Sequence, residues 1–406
     1  MNSTLRFPKK TIRDVPVHNK RILMRADFNV PLNEKGEIES DYRILQTLPT
    51  LRYLLERKCT VIVVAHLGRP EGRPNKKYSL EVVAEKLKQL LPEYPIEFVG
   101  TTIDDKARQA CKSAKEGTVT LLENLRFSPG EEANDSDFAD ALQRTAKADY
   151  FVQDGFGVVH RAHASTEAIT HLVPSVAGLL LESEVTTLTS VIKQPRHPLV
   201  AVIGGAKISD KIGFIEQLLT TADVVLIGGA MANTFLRYQG EPVGKSLIEA
   251  GQEAEIKRIY SIAKPGQIIL PTDVAVADKI DESAIRRECS VNEVNPNDII
   301  LDLGPETIKS FDEHLQNAAT VLWNGTLGYA ELPQFARSSV QLAKAISDQH
   351  HSITSVIGGG DTAEFVLEWR GHHEDRTFTH ISTGGGASLE LMSGLKLSGV
   401  EALISN

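Results

Sequence analysis

The feature that most constrains this chain is a punctuation that recurs through its second half. An apolar, partly β-branched run stops at two or three glycines and resumes at once as helix-forming sequence. The instances are LVAVIGGAKISDK with Gly204-Gly205, DVVLIGGAMANTF with Gly228-Gly229, SVIGGGDTAEF with Gly358, Gly359 and Gly360, and HISTGGGASLE with Gly384 to Gly386. A strand that must turn within two or three residues into a helix needs backbone that tolerates positive φ and close approach, and glycine supplies both. Strands alternating with helices predict a parallel sheet covered on both faces. Ligands of such sheets sit outside the carboxyl ends of the strands. Each junction aims a helix N-terminus, with its free amides and partial positive charge, at that edge, which suits a polyphosphate. In the first instance Lys207 and Lys211 stand four residues apart on what reads as the new helix, hence on one face. Neither a Walker A loop nor a G-x-G-x-x-G fingerprint is present.

The first half alternates in the same way, but its strands end in charge. RILMRADFNV closes with Arg25, Asp27, Phe28 and Asn29, and Arg43 opens the helix that follows. CTVIVVAHLGRP closes with His66, Leu67, Gly68 and Arg69, TVTLLENLRF with Asn124 and Arg126, and YFVQDGFG leads to His160, Arg161 and His163. In a parallel sheet Arg25, Arg43, Arg69, Arg126 and Arg161 gather at one edge, and arginine is suited to bidentate recognition of carboxylate and phosphate. This half therefore reads as a seat for a small, highly anionic molecule. His66 is open between anion ligand and structural histidine, while His160 and His163 lean structural.

Between the halves, LLLESEVTTLTSVIK from Leu179 to Lys193 reads as a helix and a candidate hinge. The expected architecture is α/β, two doubly wound parallel-sheet (Rossmann-like) domains: residues 1–180 with a returning C-terminal segment 389–406, a hinge helix 181–195, and residues 196–388. A length of 406 residues suits two or three domains. A formal charge of −9 argues against a nucleic-acid surface, so any basic site must be local. Three scattered cysteines fit a reducing compartment rather than a disulfide or zinc framework. MNSTLRFPKKTIRD has no apolar h-region and no run approaches 18 apolar residues, so the expectation is a cytoplasmic protein without a membrane partner.

Arginines for an acidic metabolite in one half, and lysines, glycines and an acid for Mg-nucleotide in the other, point to phosphoryl transfer across a cleft that closes on a hinge. Asp361 can hold Mg²⁺ through phosphate oxygens and water, or cap its helix; Thr362 can donate to a phosphate, and Glu331 can accept from ribose hydroxyls. No general base stands out among the strand-end residues, which fits an acceptor already ionised at neutral pH, such as a carboxylate.

The chain resembles the phosphoglycerate kinase family over nearly its whole length, at RADFNVP, HLGRP, LLENLRF, HRAHAS, GGAKISDK, MANTFL, LGPETI, WNG, GGGDTA and STGGGASLE. The resemblance implies a two-domain monomer that transfers phosphate reversibly between ATP and 3-phosphoglycerate. It implies that Asp27, Phe28, Asn29, Arg43, His66, Leu67, Gly68, Arg69, Arg126 and Arg161 form the phosphoglycerate site, and that Arg43 and Lys207 stabilise the transferring phosphoryl group. Lys211, Asn324, Gly358 to Gly360, Asp361 and Thr362 would hold the Mg-nucleotide phosphates, with Asp361 toward the metal and Glu331 toward the ribose. Gly204, Gly205, Gly228 and Gly229 would border the adenine pocket, and Gly385 would supply a backbone donor near the reacting centre. The loop WNGTLGYAE departs from the family's Trp-Asn-Gly-Pro-Met-Gly pattern at Thr326, Leu327, Tyr329 and Ala330. Loss of the proline is expected to loosen that loop. A non-catalytic paralogue that senses nucleotide or metabolite is the alternative, and the altered loop is its support.

Overall fold

The computed structural model describes residues 6–373 and 376–406. The chain divides into two compact units, one formed by Met1–Thr186 with Lys396–Asn406 and the other by Thr187–Leu395. The division falls inside the helix Leu179–Lys193.

In the first unit, β1 (Arg21–Arg25), β2 (Thr60–Val64), β3 (Ile96–Phe98), β4 (Thr118–Leu121), β5 (Tyr150–Gln153) and β6 (Ser175–Ala177) form one sheet in the order β3-β4-β2-β1-β5-β6. Every pairing is parallel. Because side chains alternate across a strand, each buried strand feeds two cores. Ile22, Met24, Val61 and Val63 pack on one side with Ile44, Leu51 and Leu54 of the helix Tyr42–Glu56. Leu23, Ile62 and Val64 pack on the other with Phe138, Ala139 and Leu142 of the helix Ser136–Ala146. Burying one such aliphatic side chain contributes about 1.5–3 kcal/mol, so covering both faces is what lets an uninterrupted run such as TVIVV serve as a strand.

The order of the strands reverses between β1 and β5, and the chain leaves the carboxyl ends of these two neighbours in opposite lateral directions. That crevice is where a parallel sheet accepts a ligand. The last residues close the unit: Ile404 O accepts from Lys10 N (2.8 Å), Ile404 N donates to Ser175 O (3.0 Å) and Gly399 N donates to Val159 O (2.8 Å). The helix Leu179–Lys193 is anchored at its N-terminus by Asp154, whose Oδ1 accepts from Leu180 N (3.0 Å) and Leu181 N (3.4 Å), and by Thr50 Oγ1, which accepts from Leu179 N (2.9 Å).

In the second unit, β7 (Leu199–Ile203), β8 (Val224–Ile227), β9 (Ile268–Ile269), β13 (Thr320–Asn324), β14 (Thr354–Gly358) and β15 (His380–Ile381) form a sheet ordered β15-β14-β13-β7-β8-β9. It too is parallel throughout. A small antiparallel sheet adds β10 (Asp273–Ala277) between β11 (Arg287–Ser290) and β12 (Ile299–Leu303). The architecture is therefore the expected α/β one, with two six-stranded parallel sheets. The switch in strand order here lies between β13 and β7, which brings Asn324–Leu327 beside Gly204–Gly205. Among the described residues no helix is long and apolar enough to cross a membrane.

Candidate functional site

The first unit gathers the expected arginines around a buried histidine. His66, at the end of β2, is only 3% exposed. Burial lowers its pKa well below the ordinary histidine value, and the charges of Arg25, Arg126, Arg43 and His163 act in the same direction. Burial likewise lowers Arg126; Glu132 opposes the shift, and Arg161 and Arg69 add to it. These mutual fields place Arg43, Arg69, Arg126 and Arg161 in one electropositive neighbourhood, although they come from the helix Tyr42–Glu56 and from the segments after β2, β4 and β5.

Each of these side chains is held differently. Arg43 Nη1 pairs with Asp27 Oδ2 at 3.1 Å, and Asp27 is itself buried. Asp27 Oδ1 accepts from Asn29 N (3.2 Å), and Asn29 Oδ1 accepts from Gly68 N (2.8 Å), so the turns after β1 and β2 are stitched together. Gly68 has φ +62°, and a Cβ there would lie 2.4 Å from the Tyr78 ring. Arg126 Nη1 donates to Gly68 O (3.0 Å), and its Nε faces Glu132 at 3.2 Å. Arg69 and Arg161 are exposed. Phe28 and Leu67 lie in the core at 0% and 1% exposure, so only their backbone can face a ligand.

Arg25 departs from the expectation that it joins the ligand-facing set. It is fully buried, donating from Nε to Ser165 Oγ (2.7 Å) and from Nη1 to Ala26 O, with Nη2 3.2 Å from His66 Nδ1. Glu131, which the sequence did not single out, is also fully buried and accepts from Ser165 Oγ (2.6 Å) and Ser165 N (3.1 Å). Its local sequence, PGEE, reads as an ordinary acidic helix start, so only the tertiary fold reveals it.

In the second unit the glycine junctions converge as expected. Gly204 N donates to Asn324 O (2.9 Å), Gly205 N to Thr326 O (3.1 Å) and Gly229 N to Leu327 O (2.9 Å). A Cβ on Gly204 would lie 2.0 Å from Thr326 O, and one on Gly229 (φ +65°) 2.7 Å from Gly205 N. Gly228 is buried against Leu327. Gly325 N donates to Thr362 Oγ1 (2.6 Å), which fixes Thr362 beneath the turn. Gly358 and Gly359 flank Asn324 Nδ2, a buried donor with no partner. Gly385 packs on the Gly360 amide, 3.2 Å from where its Cβ would be, so the last two glycine turns also meet.

The loop WNGTLGYAE is tied to its surroundings by hydrogen bonds on both sides of Thr326. Besides the bonds just given, Leu327 N donates to Ser339 Oγ (2.9 Å), Tyr329 N to Leu301 O (2.7 Å), and the Trp323 indole to Gly325 O (2.7 Å).

Lys207 and Lys211 do not share a helical face. The helix begins at Ile212 with Lys211 as its N-cap, and Lys207 sits on the exposed loop before it. Ile208 is fully buried and pulls that loop inward, while Glu249 Oε2 accepts from Ile208 N (2.7 Å) and Ser209 N (3.1 Å). Glu249 is a supporting residue without a sequence signal, since it reads only as one more acid in SLIEAG. Lys211 points back into the glycines, donating from Nζ to Gly204 O (2.8 Å) and Asn324 O (3.3 Å). Burial lowers its pKa to about 8 against the pull of Asp361 and Asp210. A cleft of about 440 Å³ opens on these turns, lined by Gly205, Gly229, Leu247, Ile280, Tyr329 and Glu331, with Asp361 at its wall.

Among the described residues no cluster of three metal-ligating side chains occurs. Asp361, exposed in the first turn of the helix Gly360–Gly371, fits a Mg²⁺ ion that arrives with phosphate oxygens and water and needs a single carboxylate. The unpartnered Asn324 amide beside Gly358 and Gly359 fits a phosphate oxygen.

The phosphoglycerate kinase family model matches residues 12–395. A phosphoglycerate kinase from Pelotomaculum thermopropionicum is 44% identical over 398 residues, covering 98% of this chain and 99% of the relative. One from Chloroflexus aggregans is 46% identical over 399 residues, covering 97% and 98%. Among solved structures, phosphoglycerate kinase from Coxiella burnetii is similar with a TM-score of 0.83 and 35% identity, and that from Pyrococcus horikoshii with 0.83 and 32%; each comparison covers 97% of this chain and 98% of the other. With matches that run from Ile12 to Leu395 and relatives of nearly the same extent, the chain belongs to the phosphoglycerate kinase family.

Proposed function

We propose that the chain catalyses reversible phosphoryl transfer between ATP and the carboxylate of 3-phospho-D-glycerate, giving 1,3-bisphosphoglycerate and ADP, with the anionic acceptor held by the first unit and the Mg-nucleotide by the second. The observation that carries this reading is the pairing of two opposite designs in one acidic chain: arginines crowded around His66, and glycine amides crowded around Lys211. Asp27 and Asn29 set the geometry of the acceptor site, while Arg43, His66, Arg69, Arg126 and Arg161 bind its carboxylate and phosphate. Gly358 to Gly360, Thr362 and Lys211 hold the nucleotide phosphates, Glu331 the ribose, and Gly204, Gly205, Gly228 and Gly229 border the base.

In the forward step one carboxylate oxygen of phosphoglycerate bonds to the γ-phosphorus, the bond from that phosphorus to the β–γ bridging oxygen breaks, and ADP leaves. No proton is removed, so no general base is required. Arg43, Lys207 and the Gly385 amide stabilise charge on the transferring group, which is where most of the catalysis of such a reaction resides. Asp361 would hold the Mg²⁺ that accompanies the nucleotide, and the ion would supply charge neutralisation at the terminal phosphates.

A coupled assay with 3-phosphoglycerate, Mg²⁺ and ATP or GTP tests the proposal, with turnover dependent on both substrates as the expected result. Absence of turnover, together with calorimetric binding of phosphoglycerate and none of Mg-ADP, would instead support a metabolite sensor.

A further inference from the structure

We infer that Arg25 is a positioning residue that fixes His66 as a neutral imidazole with its proton on Nε2, making it a directed donor rather than a cation in the phosphoglycerate site. This rests on the reading above that His66 faces phosphoglycerate. The argument begins with donor chemistry. A guanidinium has five N–H donors and no acceptor, so at 3.2 Å from Arg25 Nη2 the Nδ1 atom of His66 must present a lone pair. The ring proton then sits on Nε2. A proton added at Nδ1 would face a cationic donor across the same 3.2 Å.

Arg25 cannot swing away to relieve that conflict. Its Nε is held by Ser165 Oγ, its Nη1 by Ala26 O, and the guanidinium is fully buried. Ser165 is fixed in turn: its hydroxyl accepts from Arg25 and donates to Glu131 Oε1 (2.6 Å), while its backbone N–H donates to Glu131 Oε2 (3.1 Å). Both carboxylate oxygens are thus acceptors, and Glu131, 3.9 Å from Arg25, supplies the counter-charge for a buried cation that would otherwise be costly. The chain Glu131–Ser165–Arg25–His66 ends at the site without any exposed link.

The groups around His66 agree with this state. Arg25 comes from β1, Arg43 from the helix Tyr42–Glu56, Arg126 from the turn after β4 and His163 from the segment after β5; all disfavour a further positive charge. Glu131 is already engaged by Ser165 and Asp27 by Arg43. An unperturbed histidine would change charge near pH 6.5, inside the working range of a metabolic enzyme. Here the charge of the acceptor site does not follow that titration, and Nε2–H offers one fixed direction to an anionic oxygen.

The decisive measurement is a long-range ¹H–¹⁵N spectrum of the full chain, with the His66 signals assigned by their loss in His66→Gln. A protonated Nε2 and bare Nδ1, unchanged from about pH 5 to about pH 8, are expected. A protonated Nδ1, or a titration midpoint within that range, would overturn the inference. Added 3-phosphoglycerate is expected to shift the Nε2 resonance and leave Nδ1 bare. If it shifts neither, His66 lies outside the acceptor site and the functional reading fails, while the tautomer still stands or falls on the ligand-free spectrum. In the charge-balanced variant Arg25→Met/Glu131→Gln, burial and the remaining arginines still hold His66 neutral, but Nδ1 is no longer forced to stay bare: a mixture of Nδ1–H and Nε2–H tautomers is expected, with a severalfold higher KM for phosphoglycerate. A folded variant in which Nδ1 stays fully bare would argue against the role of Arg25. Should this variant not fold, the wild-type spectrum decides alone.

Discussion

Lys211 ties a single side chain to a pH dependence. Burial brings its pKa from 10.5 to about 8. The folded chain therefore binds fewer protons at this position than the unfolded chain between those values, so the Lys211 contribution makes stability rise with pH across that window. Nucleotide binding should follow the opposite sense, because phosphate needs the charged lysine. The KM for Mg-ADP is expected to rise as pH passes about 8 in the wild type and to stay flat in Lys211→Arg, whose guanidinium keeps its charge; equal slopes in the two proteins would remove Lys211 from the phosphates. Arg43 and Lys207 carry a different expectation. Because both are assigned to charge that develops in the transition state, Arg43→Ala and Lys207→Ala should each lower kcat by about 10³-fold while Mg-ADP still binds, by steady-state kinetics alongside calorimetry. Near-normal turnover in either variant contradicts the assignment.

At the scale of elements, two glycines separate packing from ligand approach. Gly229 has φ +65° and no room for a Cβ among backbone atoms of Gly205 and Thr326, so Gly229→Ala is expected to destabilise the second unit by about 2 kcal/mol or more in denaturant titrations. Gly360 has open space where its Cβ would be, so Gly360→Ala should leave the unfolding midpoint unchanged and weaken Mg-ADP at least tenfold, since only a bound phosphate would claim that space. Asp154, which anchors the helix Leu179–Lys193, is raised by burial from 3.8 to about 7, against the hydrogen bonds from Thr50, Leu181 and Leu180. The folded state then binds the extra proton between those values, and stability falls as pH rises through the window. Asp154→Asn keeps an acceptor for Leu180 and Leu181 but loses the charge, so its stability relative to wild type should increase between about pH 4.5 and about pH 7.5; a constant difference would place the titration elsewhere. The strand-glycine-helix junctions and the arginine-bearing strand ends were legible in the sequence because strand period and turn chemistry are local. The start of the Lys211 helix was not, because Ile208 burial and Glu249, 41 residues along the chain, decide it. Nor was the inward turn of Arg25, which depends on Ser165, 140 residues away.

For the molecule as a whole, two units with separate sheets and separate ligand chemistry should answer separately to their ligands. Hydrogen exchange is expected to slow around Gly68 and Arg126 with 3-phosphoglycerate, and around Gly205 and Ile208 with Mg-ADP. At ligand concentrations of a hundred times Kd the stabilisation would be about 2.7 kcal/mol. Protection appearing in the other unit for either ligand would reverse the assignment of substrates. The way the first unit is closed has a consequence for how the polypeptide is made. Its edge is completed by bonds from Ile404 to Lys10 and Ser175 and from Gly399 to Val159, all supplied by Lys396–Asn406. On a ribosome working from the amino end, residues up to Thr186 emerge early yet lack these partners, whereas Thr187–Leu395 can fold as soon as it is out. The unit translated first is therefore finished last, and until then the backbone at Lys10, Val159 and Ser175 lacks these partners and is open to chaperones and proteases.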